Sequence, residues 1–159
     1  MSETLLTRIA QALERIAPPQ ADSADWCAFP AYVWDGKAAR GIDPLEAPAL
    51  DLMQGIDKQK AAVVENVARL SRGAATHDML LWGARGMGKS ALLRAATLAA
   101  QGANPGSIAL VQANPDAGLA DLFARLRKID RRFLVFLDDL GFDAADSDGA
   151  RKLRPWLQG

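Results

Sequence analysis

The chain has 159 residues, enough for one domain with a buried core, and its 50% hydrophobic and 24% charged content is that of a globular protein rather than a disordered or fibrous one. Lys plus Arg is 19 and Asp plus Glu is 19, and this zero balance argues against a dedicated nucleic-acid or membrane-surface binder. The lone Cys27 can form neither an internal disulfide nor a zinc cluster, no signal-like pattern opens the chain, and no apolar run nears the roughly 18 residues of a membrane span, so the expected compartment is the cytoplasm.

Residues 3–17 read as an amphipathic helix, with Leu5, Leu6, Ile9, Leu13 and Ile16 at helical spacing, a cap at Ser2 or Thr4, and Pro18-Pro19 as its stop. Residues 20–50 read as irregular and aromatic-rich. Within them, residues 31–34 suit a short strand and Asp35-Gly36 a turn. Trp26, Phe29, Tyr32 and Trp34 have only Lys37 and Arg40 as basic neighbours, so a packed aromatic cluster is expected rather than a base-stacking surface.

Beyond residue 50 the pattern becomes regular. A helix is expected from Asp57, as cap, to about residue 72, stopped by Gly73. Residues 79–82 suit a short buried strand, followed by a glycine loop and a helix over 89–101 closed by Gly102. A strand over 108–111, a helix over 116–128, and an all-apolar strand over 133–137 follow. A last helix starts near Asp148, with Leu153, Trp156 and Leu157 apolar and Pro155 tolerable only in its first turn. Alternating strands and helices predict an α/β fold with a parallel sheet of three layers, preceded by a helical and irregular N-terminal segment over 1–50.

The loop Gly83-Ala84-Arg85-Gly86-Met87-Gly88-Lys89-Ser90 matches the phosphate-binding pattern G-x-x-x-x-G-K-[ST] in full, between a strand and a helix as that pattern requires. A triphosphate needs many donors at close range. The glycines let the backbone wrap it, and Lys89 sets a positive charge against the β- and γ-phosphates. Ser90 offers a hydroxyl to Mg²⁺, and the helix that begins here, through Ala91, directs its positive end at the same charge. The expected ligands are ATP, or GTP as the alternative, with Mg²⁺.

Residues 133–137 run into Asp138-Asp139, the acid-terminated apolar strand of a Walker B motif. Asp138 suits the Mg²⁺ shell, through water, and Asp139 suits orienting or deprotonating an attacking water. The bland alternative for this pair is a polar turn after a buried strand. His77 beside Asp78 has no neighbouring nucleophile, and Arg131 and Arg132 are expected to be solvated rather than to act as an arginine finger.

With both motifs in place, the chain resembles the AAA+ ATPases, and within them a bacterial branch of uncharacterised function. The residues that carry the likeness are the run 80–90, the run Phe136-Leu-Asp-Asp-Leu140, and Gly55-Ile-Asp-Lys-Gln-Lys60, over roughly residues 45–158. The resemblance implies a partial AAA+ nucleotide-binding domain over 51–159, with Ile56 as an adenine contact. It also implies homo-oligomer assembly, and ATP hydrolysis that drives remodelling or loading of a macromolecule this sequence does not name. Two departures are visible. Asp138-Asp139 replaces the usual Asp-Glu. No sensor strand, arginine finger or helical lid can be placed before Gly159, which suggests a fragment of a longer ATPase. In the AAA+ sheet another strand lies between the P-loop strand and the Walker B strand, and it too cannot be placed here. The alternatives are a non-hydrolysing, nucleotide-dependent interaction module, a helicase-loader-like ATPase on DNA, and the kinase–GTPase class, in which the two strands are neighbours.

Overall fold

The structure, a computed structural model, describes residues 24–84, 86–115 and 118–138. The helices expected over 3–17 and from Asp148 lie outside these residues, as does the start of the helix expected at residue 116. Four strands form one sheet in the order β2-β1-β3-β4: β1 (Ala31–Trp34), β2 (Ala39–Ile42), β3 (Ile108–Ala113) and β4 (Arg132–Leu137). β1 and β2 are antiparallel, whereas β1 with β3 and β3 with β4 are parallel. The helices are α1 (Asp57–Ser71), α2 (Lys89–Ala103) and α3 (Leu119–Leu126), and a short 3-10 turn covers Leu50–Leu52.

The aromatic-rich stretch is therefore not irregular throughout. It supplies a β-hairpin to the central sheet, and its second strand gave no clear sequence signal because Ala-Arg-Gly-Ile has little β propensity. The turn is built as Asp35-Gly36 suggests: Asp35 Oδ1 accepts from the backbone N–H of Lys37 and of Ala38, both at 2.8 Å, and Gly36 has φ 103°.

Helices cover both faces of the sheet. On one side α3 buries Leu119, Leu122 and Leu126 against Trp26, Tyr32, Trp34, Ala109, Val111 and Ala113. The aromatics pack as the expected cluster, with Trp26 and Tyr32 ring centroids 4.8 Å apart and Phe133 edge-on to Trp26 at 5.7 Å. The Tyr32 hydroxyl donates to Asp25 O at 2.6 Å and accepts from the Phe29 N–H at 3.1 Å, while burial pushes its phenol above the ordinary value. On the other side α1 and α2 pack through Val63, Val67, Leu92, Leu93, Ala96 and Ala100 onto Ile108, with Leu134 and Phe136 partly buried alongside.

Two expectations are corrected here. Residues 79–82 are not a strand: they pair with nothing in the sheet, and Leu80 and Trp82 are exposed at 63% and 88%. Met79 and Leu81, in alternation, still pack on the α1–α2 core. The local pattern is that of a strand, but a strand is fixed by its neighbours' hydrogen bonds, and among the described residues β4 pairs only with β3. Arg131, in turn, is not solvated. Its guanidinium donates to the carbonyls of Trp26 at 2.9 Å, Phe29 at 2.8 Å and Ile108 at 3.1 Å, which clamps the segment before β1 to the start of β3.

The remaining differences are small. Asp57 is the first residue of α1 rather than its cap; Ile56 takes the cap position, and Asp57 pairs with Lys60 Nζ at 3.1 Å. Gly102 does not close α2, which runs on to Ala103. Gly73, with φ 70°, ends α1 as expected. β4 is partly buried after an exposed Arg132, unlike β3, and among the described residues it has one neighbouring strand where β3 has two.

Candidate functional site

The glycine loop adopts the backbone its sequence calls for. Gly83, Gly86 and Gly88 have φ of 141°, 83° and 80°, values at which a side chain would be strained. Among the described residues a Cβ built on any of the three meets nothing within 4 Å, so backbone conformation rather than crowding demands glycine. Gly88 is the left-handed cap residue of α2, and Lys89 and Ser90 form its first turn. The N–H groups of such a turn lack intrahelical partners. Lys89 Nζ donates to the carbonyls of Gly83 at 2.8 Å and Ala84 at 2.9 Å, which folds the loop over its own lysine. Ala84 and Met87 are exposed, and Lys89, Ser90 and Ala91 are half-buried. Arg85 lies outside the described residues.

Asp138 follows the last residue of β4. Its N–H donates to Ala113 O at 3.4 Å, which extends the ladder by one residue, and its Oδ2 lies 3.5 Å from Gln112 Nε2. Asp139 lies outside the described residues.

The orientation of α2 brings loop and acid to one edge of the sheet. Late in α2, Gln101 Nε2 donates to Ile108 O at 3.1 Å and to Pro30 O at 2.8 Å, at the starts of β3 and β1. α2 therefore runs antiparallel to the strands. A helix of its 15 residues is about 22 Å long, close to the roughly 20 Å of a six-residue strand, which sets Lys89 and Ser90 at the carboxyl ends of β3 and β4. That is the edge where open α/β sheets bind ligands.

The donor set fits a phosphate and a hard cation held largely by water: an ammonium, a hydroxyl and one carboxylate. Among the described residues, no group of three or more His, Cys, Asp and Glu could hold a metal by itself. Ile56 is half-buried against the α1–α2 core, and its carbonyl accepts from Lys60 N at 2.8 Å. Lys60 Nζ also donates to Leu50 O and Met53 O, fixing the turn that leads into Ile56. Gln112 lies one residue past the apolar run 108–111 that predicts the strand, and β3 extends over it to Ala113. Its signal was a single amide closing an apolar run. His77 makes no dyad; its backbone N–H and C=O pair with the Asn66 side chain at 3.1 and 2.7 Å, tying the approach to the loop onto α1.

Fold and loop together define a mixed α/β protein with a four-stranded, mostly parallel sheet and a phosphate-loop sequence at the start of a central helix. The chain belongs to the family described as Protein of unknown function (DUF815), which it matches over residues 27–159. No curated protein and no solved structure matches it. Among the described residues no helix is long and apolar enough to cross a membrane.

Proposed function

We propose that the chain binds ATP with Mg²⁺ at the loop 83–90, as the nucleotide-binding part of an AAA+ ATPase that acts on a macromolecule. The observation that carries this reading is the loop itself: three positive-φ glycines end at the first turn of α2, and this turn and Asp138 share one edge of the sheet. Lys89 would exchange the carbonyls of Gly83 and Ala84 for phosphate oxygens, a stronger partner for an ammonium. Ser90 and Asp138 would hold Mg²⁺, which supplies charge neutralisation on the phosphates. Ile56, on the turn fixed by Lys60, would border the base. Hydrolysis would rest on Asp139 as the residue that orients water.

Among the described residues β4 pairs with β3 and not with residues 79–82, which favours the AAA+ reading over the kinase–GTPase class, where the strand before the loop is a direct neighbour of the acid-bearing strand. The neutral charge and single cysteine support a cytoplasmic setting. Homo-oligomer assembly follows from the same resemblance. The test is titration of a fluorescent ATP analogue with Mg²⁺ into wild type and Lys89→Ala, followed by phosphate release. Saturable binding lost in the variant is expected. A folded wild type that binds no nucleotide would overturn the reading, and binding without release would leave a nucleotide-dependent interaction module.

A further inference from the structure

A second concave site lies on the α2 face of the sheet, between α2 and the chain that leaves β2. It is a cavity of about 250 Å³. Ile42, Leu45 and Leu110 form an apolar wall, and Arg94, Glu46 and Gln112 are its polar groups. Arg94 stands one helical turn beyond Ser90 on α2, half-buried, and makes no hydrogen bond or ion pair with the described residues. Glu46, exposed at the rim, has no partner among the described residues either, and the two opposite charges do not meet within the 4.0 Å of an ion pair. A half-buried guanidinium and a carboxylate at the rim of the same cavity that do not pair with each other are both available to a ligand carrying the two opposite charges. Gln112 adds an amide able to donate or accept.

We propose that this cavity binds a free amino acid with an apolar side chain. Arg94 takes its carboxylate, Glu46 its ammonium, and Ile42, Leu45 and Leu110 receive the side chain. Cavity size agrees, because an amino acid of about nine heavy atoms needs less than the 300 Å³ or more typical of drug-sized pockets. The charge pattern decides among ligand classes. A plain anion would leave Glu46 unused and opposed, and a plain cation would leave Arg94 in the same position. No residue of the glycine loop lines the cavity. Gln112 touches both this cavity and Asp138, so occupancy would be felt at Asp138.

The experiment is calorimetric titration of the full chain with L-leucine and with 4-methylpentanoate, which lacks the ammonium, beside Arg94→Met, Glu46→Gln and Lys89→Ala. Circular dichroism and thermal melts establish that each variant is folded. Saturable L-leucine binding is expected, weakened about tenfold or more in Arg94→Met and in Glu46→Gln, and unchanged in Lys89→Ala. The Gln112 side-chain amide should shift on titration in ¹⁵N-edited NMR spectra. Four results overturn the proposal: no binding by folded wild type, binding indifferent to both cavity variants, loss in Lys89→Ala alone, or equal affinity for 4-methylpentanoate. The last would make the site one for simple carboxylates.

Discussion

Lys89 donates from Nζ to the Gly83 carbonyl at 2.8 Å, so the lysine that would meet a phosphate is already bent back over the loop that carries it. The same ammonium reaches Ala84 O at 2.9 Å. The two carbonyl contacts tie the lysine to the curve of the loop, and a phosphate at Lys89 would compete with them. Lys89→Ala removes both the internal ties and the charge. A charge-assisted contact contributes about 1.5–3 kcal/mol, which corresponds to about a 10- to 150-fold loss of nucleotide affinity. Fluorescent-analogue titration measures it, and an affinity equal to wild type would remove Lys89 from the site.

Asp138→Asn keeps the shape of the side chain and removes its charge. Mg²⁺-dependent tightening of nucleotide binding should fall about tenfold or more, while binding without Mg²⁺ changes little. Titrations with Mg²⁺ and with EDTA separate the two. An unchanged Mg²⁺ dependence would show that the end of β4 is not part of the site.

Arg131 is a structural clamp. Its guanidinium serves three backbone carbonyls on two segments, and truncation leaves those acceptors without their charged donor. Arg131→Ala should cost about 2–4 kcal/mol in urea unfolding, and Arg131→Lys should recover only part, because one ammonium cannot span the same fork. A cost below about 0.5 kcal/mol, the level of ordinary surface changes, would contradict the clamp.

Trp82 and Trp34 make a direct comparison. Trp82 is 88% exposed and Trp34 is 1% exposed. Trp82→Ser should alter stability by no more than about 0.5 kcal/mol, whereas Trp34→Ala should cost about 3–5 kcal/mol. Chemical denaturation of both variants tests the placement of residues 79–82 outside the sheet. A large loss from Trp82→Ser would mean that this segment is packed after all.

The hairpin turn carries a pH signature. Backbone N–H groups of Ala38 and Lys37 hold the Asp35 carboxyl below its ordinary value of 3.8. A depressed folded pKa contributes stability that is present above the unfolded value and is lost as pH falls through the folded one. Wild type should therefore lose stability relative to Asp35→Ala between about pH 5 and the folded pKa, and the two should converge at lower pH. Thermal melts across that range check it.

The sequence by itself determined most of the described helices and the backbone of the loop. Three glycines, a lysine and a serine at fixed spacing require positive φ and a helix start, and both requirements act within a few residues, so they were readable in one dimension. Apolar residues at helical spacing likewise mark the face that α3 buries, Leu119, Leu122 and Leu126. The tertiary structure alone decided which apolar run became a strand. Residues 79–82 and residues 108–113 look alike locally, but among the described residues β3 has a neighbour on each side and the other run has none. It alone brought Arg131 to Trp26 and Phe29, and Arg94 to Glu46 and Gln112, across long stretches of chain. Period and propensity act between near neighbours, whereas strand pairing and charge placement are set by residues that meet only when the chain has folded.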